Sequence, residues 1–327
     1  MINWGIIGFG RMGKQYADCF KKKNLNTELV AIASKSYQKS KDKSNDIKYF
    51  NSYSDLIKCD LVDAIYISTL NNTHKDLVLE VEKHDKKILC EKPLGMNFHE
   101  VKELHNLLKD KQNCFNEAIA YRAHPQTLTL LDILKEKEFG RVKKIESNFG
   151  FRIKKIKKDS RLFNEKVGGG SILDLGCYPV SFFHLFKGEK KMKIMESNRN
   201  LCETGVDIDG EIHLKLNDEI DSIGKVSLRE SLENNCKIYC ENAIITLPQP
   251  WLPSNKSFIE VETKSRYYKK IIETDKNVYE HQIVASSDFF SNNNSNSNSN
   301  SNSNLLIDID KSLEISEIID IWKNNSN

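Results

Sequence analysis

Mostly apolar runs of four to six residues, separated by stretches in which apolar positions recur every three or four, fill the first third of the chain. The runs fall at residues 4–7, 28–33, 47–50, 64–68, 88–91 and 114–119. Runs this short with such spacers predict buried strands joined by helices, and strands regularly separated by helices pair in parallel. After the first run, Met12, Tyr16, Cys19 and Phe20 share a helical face, and residues 73–84 predict another helix. Between residues 205 and 275 the pattern changes. Runs at 211–216, 225–228, 237–239 and 243–247, joined by short polar turns, predict neighbouring strands of an antiparallel sheet. The basic run 152–158, Arg-Ile-Lys-Lys-Ile-Lys-Lys, alternates charge with isoleucine and predicts a strand with one wet face. Residues 291–304 alternate Ser and Asn with no apolar residue, which predicts a disordered surface insertion.

Two places in this pattern carry chemistry. Gly8-Phe9-Gly10-Arg11-Met12-Gly13 follows the first strand at once and leads into the first helix. Glycines in that context permit a tight turn, close approach of the backbone to a pyrophosphate, and close helix packing. The helix amino terminus then offers unpaired N–H groups to the anion. The second strand ends in Ser34-Lys35-Ser36, with Lys39 a turn further on, where an NAD-preferring site usually carries an Asp or Glu. Hydroxyls and lysines there suit a 2′-phosphate, so NADP is expected, with NAD possible. The alternative is that Lys35 and Lys39 merely begin the lysine-rich surface that continues to Lys43.

The other place is Ile88-Leu89-Cys90-Glu91-Lys92-Pro93-Leu94-Gly95, a strand that ends in an acid, a base and a proline. Ligands of open parallel sheets bind beyond the carboxyl ends of the strands, where Lys92 would stand. The bland alternative is a strand that stops at a proline with two solvated charges. Ser68-Thr69-Leu70-Asn71 ends the preceding strand in the same crevice, with His74 opening the next helix. Phe9, Gly10, Arg11, Met12, Thr69, Leu70, Asn71, His74 and Glu91 are therefore candidate cofactor contacts beside Gly8, Ser34, Lys35 and Lys92 itself.

Composition narrows the class. The 327 residues suffice for two domains. Lys and Arg number 49 against 46 Asp and Glu, a formal charge of +3 that argues against a nucleic-acid surface. No apolar run is long enough to span a bilayer, and the amino terminus enters a strand directly, without the form of an export signal. Eight cysteines without framework spacing read as reduced thiols of a cytoplasmic protein. Cys236 and Cys240 lack a second pair nearby, so no metal is expected.

Further on stand Ala120-Tyr121-Arg122-Ala123-His124-Pro125, Gly140-Arg141-Val142 and Gly168-Gly169-Gly170-Ser171-Ile172-Leu173-Asp174-Leu175-Gly176-Cys177-Tyr178-Pro179. With Glu91-Lys92-Pro93, the chain resembles the glucose-fructose oxidoreductase, inositol dehydrogenase and rhizopine-catabolism family over nearly its whole length. The resemblance implies an α/β fold: an N-terminal Rossmann domain with a doubly wound parallel sheet, taken as residues 1–120, and a substrate-binding and oligomerisation α/β domain, 121–327, with a large, open, mostly antiparallel sheet. The cofactor would lie between them, and a homodimer or homotetramer would form through the C-terminal sheet. It further implies Lys92 near substrate and nicotinamide, Asp174 holding a substrate hydroxyl, Tyr178 as acid/base, and Arg122 neutralising phosphate or ordering the substrate loop. Many members have histidine where Tyr178 stands, and tyrosine there resembles the branch of dimeric dihydrodiol dehydrogenase and NADP-linked xylose dehydrogenases.

Residues four apart on a helix share a face, so a helix that includes Asp174 would point it and Tyr178 to one site; the bland alternative is that Tyr178 is a half-buried aromatic of an amphipathic helix and Asp174 its N-terminal-turn acid. A free phenol with pKa about 10 is roughly one part in a thousand ionised at pH 7, and lowering that pKa by two units takes about 2.7 kcal/mol. The Lys92 ammonium is the candidate source. The expected function is NADP-linked hydride transfer at a hydroxyl or carbonyl of a sugar, cyclitol or related diol. A non-catalytic dinucleotide sensor and a nucleotide-sugar oxidoreductase of polysaccharide synthesis are the alternatives.

Overall fold

The structure, a computed structural model, describes residues 1–22, 25–35, 46–111, 113–291 and 305–324. Lys39 and the Ser/Asn tract from residue 292 onward, on which two expectations fall, lie outside the described residues. The chain forms two compact units: Met1–Gly95, His99–Ala123 and Tyr279–Ser312 in the first, and Met96–Phe98, His124–Val278 and Leu313–Asn327 in the second.

The alternating pattern of the first third folds as expected into β1 (Ile2–Ile7), α1 (Arg11–Cys19), β2 (Thr27–Ala33), β3 (Lys48–Phe50), α2 (Tyr53–Ile57), β4 (Ala64–Ile67), α3 (His74–Glu82), β5 (Lys87–Glu91), α4 (Phe98–Leu108) and β6 (Phe115–Ala118). The six strands pair in parallel in the order β3-β2-β1-β4-β5-β6. That order reverses between β1 and β4, and ligands of such sheets bind at the reversal, outside the carboxyl ends of the strands. The turns carrying Gly8 and Ser68 leave from these two strands.

The second unit contributes α5 (Pro125–Ile133), β7 (Val142–Gly150), α6 (Ser171–Leu175), α7 (Cys177–His184), β8 (Lys193–Leu201), β9 (Asp207–Leu216), β10 (Ile220–Ser227), β11 (Asn235–Cys240), β12 (Ala243–Pro248), β13 (Lys256–Thr263) and β14 (Tyr267–Glu273). They form an eight-stranded sheet, β14-β13-β12-β11-β7-β10-β9-β8, antiparallel except where β10 meets β7. The strand expected over 152–158 is not there. β7 ends at Gly150, where its pairing with β10 runs out at Ser227. Among the described residues the backbone pairing of this segment ends with the bond from the Ile153 N–H to the Leu228 carbonyl.

Two further helices, α8 (Val278–Ser291) and α9 (Ile309–Asn324), complete the chain. The division expected near residue 120 lies between Ala123 and His124 in the two units, and Tyr279–Ser312 groups with the first unit. Ile283 and Phe290 of α8 join the buried cluster of Trp4, Tyr16, Tyr66 and Leu89, and Trp4 Nε1 donates to Ser287 Oγ at 3.1 Å. Ile307 bridges Glu117 antiparallel, so the segment before α9 covers the otherwise open edge of β6. An uncovered edge strand presents unpaired backbone groups. Pairing it is reason enough for the chain to come back.

Candidate active site

The glycine turn has the geometry its sequence implies. Gly8 has φ +90, and a Cβ on Gly13 would lie 2.1 Å from the Gly8 carbonyl oxygen, so only glycine lets α1 approach the end of β1 this closely. Ser68 Oγ donates to that same carbonyl at 2.8 Å, tying the turn after β4 to the turn after β1. Gly10 caps α1 without any side-chain hydrogen bond, and a Cβ built on it would meet nothing within 4 Å. Open space above an uncapped helix amino terminus fits a pyrophosphate. Phe9 and Met12 are half-buried beside it and Arg11 is exposed.

At the end of β2 Ser34 is buried and Lys35 exposed, its Nζ 5.1 Å from the centre of the Tyr53 ring. Tyr53, at the start of α2, had no signal in the sequence that linked it to this strand end. After β4, Thr69 is half-buried, Asn71 is buried and Leu70 is exposed. Thr69 and Thr73 share a 2.6 Å hydroxyl contact, and Thr73 Oγ1 donates to the Leu70 carbonyl, which fixes this short turn.

Lys92 follows directly on β5 and is half-buried. Its surroundings are more built than the sequence indicated. His74, expected to touch cofactor, is fully buried, with Nδ1 2.8 Å from the Pro93 carbonyl and Nε2 3.3 Å from the Thr69 carbonyl. It links the Thr69 turn to the Lys92 turn. Burial, with a contribution from the Lys92 charge, holds its pKa below the ordinary value, so the neutral ring has one N–H to donate and the shorter contact takes it. Glu91, also expected to touch cofactor, accepts a hydrogen bond from Tyr66, whose ring stacks on Tyr16 at 3.8 Å. Burial, then the Glu91 charge, pushes the Tyr66 phenol well up, keeping it a donor.

Among the residues that sequence reasoning missed is Glu117 on β6. It is buried, Oε1 accepts from the Leu94 N–H at 3.0 Å, and Oε2 accepts from Ser312 Oγ at 2.7 Å. Burial pushes its pKa up to about 7, against the pull of these two hydrogen bonds and of Lys92. A carboxyl whose folded pKa exceeds its unfolded value stabilises the fold below the unfolded pKa, and that contribution is lost as pH rises through the folded one. From 4.5 to about 7 the loss is about 3 kcal/mol. Urea unfolding of Glu117→Gln is therefore expected to gain about that much on the wild type between pH 4 and pH 8. Parallel stability curves would refute the titration.

Arg122, expected at a phosphate or in ordering the substrate loop, is buried. Its Nε donates to the Leu305 carbonyl at 2.7 Å, anchoring the segment that covers β6.

In the second unit, α6 and α7 are separated only by Gly176, whose φ −63 and ψ −25 stay helical, so the four-residue spacing from Asp174 to Tyr178 is nearly kept. Gly170 precedes them with φ +115, and a Cβ there would stand 2.5 Å from Asp207 Oδ1. Without it, Asp207 Oδ2 reaches both Ser171 Oγ at 2.7 Å and the Ile172 N–H at 2.6 Å, capping α6. Asp174 is buried and pairs with Arg161 at 2.9 Å, a partner thirteen residues back that no spacing rule indicates. Tyr178 is half-buried at the start of α7, edge-on to Phe149 at 4.9 Å and 5.7 Å from Trp251. Trp251 itself is buried and donates from Nε1 to the Asn148 carbonyl at 3.0 Å. The proline-rich loop around it thus backs Tyr178.

Residues 2–118 match the model of an oxidoreductase family with an NAD-binding Rossmann fold, and residues 127–246 match the GFO/IDH/MocA C-terminal domain. The chain is 31% identical over 258 residues to the trans-1,2-dihydrobenzene-1,2-diol dehydrogenase of Xenopus tropicalis, covering 77% of each chain. It is 29% identical to the enzyme of the same name from Sus scrofa, covering 77% of this chain and 76% of that one. In fold it is similar to a 3-ketoreductase from Actinomadura kijaniata, solved with NADP and TDP-benzene. The TM-score is 0.84 at 18% identity, over 100% of this chain and 98% of that one. An aldose-aldose oxidoreductase from Caulobacter crescentus, solved with glycerol, gives a TM-score of 0.81 at 14% identity over 98% and 96%.

Proposed function

We propose that this chain, which belongs to the GFO/IDH/MocA oxidoreductase family, is an NADP-dependent dehydrogenase/reductase acting on a hydroxyl or carbonyl of a sugar-like or cyclic vicinal diol. The observation that carries the reading is Lys92, held at the carboxyl end of β5 by His74 on Pro93 and Glu117 on Leu94. A solvated lysine at a strand end has no use for such a frame. A nicotinamide dinucleotide at the glycine turn supplies or accepts the hydride.

The chain's own residues manage the proton. Tyr178 takes it from the substrate hydroxyl on oxidation and returns it on reduction. Lys92 supplies the positive charge that favours the phenolate. Asp174, its carboxylate fixed by Arg161, orients a substrate hydroxyl. Phe149 and Trp251 beside Tyr178 suit the apolar face of a ring whose edge carries hydroxyls. Ser34 and Lys35, with no acid at the end of β2, favour the 2′-phosphate of NADP. Eight free cysteines agree with a reducing, cytoplasmic setting, and among the described residues no helix is long and apolar enough to cross a membrane. Association into a dimer or tetramer would use the open face of the eight-stranded sheet, where Ile244 of β12 is exposed between buried Ala243 and Ile245.

The test is NADPH and NADH binding by nicotinamide fluorescence, followed by turnover on a panel of cyclic trans-1,2-diols, aldoses, cyclitols and diketones. NADPH is expected to bind tightly and one panel class to react. Binding without turnover would favour the sensor or nucleotide-sugar reading. Lys35→Ala is expected to weaken NADPH about tenfold, as one charge-assisted contact is lost, and to leave NADH nearly unchanged. Equal losses for both cofactors would remove the NADP assignment.

A further inference from the structure

We propose that Glu117 is a positioning residue for Lys92: a buried carboxylate that fixes the turn carrying the lysine and supplies the negative charge balancing its ammonium. The inference rests on the reading of Lys92 as catalytic.

Glu117 stands where two chain segments meet on the edge strand β6. One carboxylate oxygen holds the N–H of Leu94, two residues beyond Lys92, and the other holds Ser312 at the start of α9. Its own N–H donates to the Ile307 carbonyl at 2.7 Å, so backbone as well as side chain is pinned. A purely structural acceptor here need carry no charge, since a glutamine carbonyl could take the Leu94 N–H equally well. Burying a carboxylate is costly unless its charge has a use or a partner, and Lys92 acts on it as the attractive charge.

Among the described residues, the groups facing it lie on β5 and at the start of α9. On β5 they are Glu91 and Cys90, with Lys92 just beyond. In the first turn of α9, Asp310 and Lys311 are engaged by His105 and Asp308. The ionised carboxylate accepts on both oxygens. Protonation on Oε2 leaves Oε1 accepting from the Leu94 N–H but removes the charge, so what changes is the balance of the Lys92 ammonium. With the Glu117 pKa at about 7, that change falls within the working range of pH.

Two readouts test this. In protein labelled with ¹³C-carboxyl glutamate, the resonance missing from Glu117→Gln is expected to titrate near neutrality in the wild type and at higher pH in Lys92→Ala. A midpoint in the ordinary carboxylate range, or one unmoved by Lys92→Ala, would overturn the proposal. The second readout is oxidation of a cyclic trans-1,2-diol with NADP across the pH range. The wild type is expected to lose kcat on the acid side with a midpoint near 7. Glu117→Gln is expected to lack that midpoint and to reach a plateau about tenfold lower, the equivalent of about one pKa unit of lost charge balance at Lys92, with NADPH affinity unchanged. Ser312→Ala removes a hydrogen bond to the ionised form, so its midpoint is expected to move up; it keeps the test open should Glu117→Gln fold poorly. A wild-type profile in both variants would overturn the proposal. If Lys92→Ala turns over normally, the catalytic reading has failed. If Lys92→Ala is inactive while Glu117→Gln keeps the midpoint, only this inference falls.

Discussion

Tyr178→Phe is expected to lower kcat by about 10²- to 10⁴-fold, the usual contribution of a positioned acid/base, while NADPH binds as in the wild type. The substitution removes one oxygen from a ring that packs edge-on to Phe149 and against Trp251. Phenylalanine keeps those contacts, so the melting temperature should barely move. The loss would then report proton transfer rather than folding. It should be largest for the oxidation of an alcohol near neutral pH, because there the phenol must first lose its own proton. Undiminished turnover in Tyr178→Phe, with NADPH still bound, would remove Tyr178 from the chemistry and leave another group to be found.

Lys92→Ala is the other large effect. On the proposed reading the ammonium favours the phenolate, and a two-unit rise in the phenol pKa on its removal is worth about a hundredfold in the ionised fraction at pH 7. A fall in kcat of about 10²- to 10³-fold is expected. The backbone frame does not depend on the lysine side chain, since His74 holds the Pro93 carbonyl and Glu117 the Leu94 N–H. Folding should therefore survive. Small alkylamines added to the buffer should restore part of the rate by returning a cation to the space the side chain left. Full activity without any amine would refute the assignment; a loss that amines do not restore would place Lys92 in binding or packing instead.

Much of this could be read along the chain, because the signals involved are local. The parallel order of the first sheet follows from apolar runs spaced by helices, and the glycine turn from three glycines between a strand and an amphipathic helix. Asp174 and Tyr178 lie four apart in a nearly unbroken helix because the spacing already requires it. Lys92 stands just past the end of β5 because Pro93 stops the strand.

The functions of the residues around those positions depended on distant partners. His74 and Arg122 carry polar groups that suit a ligand, and only burial against the Pro93, Thr69 and Leu305 carbonyls shows them holding backbone. Arg161 on Asp174, Asp207 under α6 and Trp251 behind Tyr178 come from segments with no periodic relation to them. The return of Tyr279–Ser312 to the first unit was equally hidden, since an edge that needs covering says nothing about which later segment will cover it. Glu117 is the sharpest case. In the sequence it is one acid among 46 Asp and Glu. What distinguishes it is burial, two donors from segments 23 and 195 residues away, and a lysine whose charge reaches it. Periodicity and motif spacing determined the strands, the glycine turn and the position of the lysine, while the tertiary fold decided what each charged group faces, because desolvation and charge pairing depend on neighbours in space.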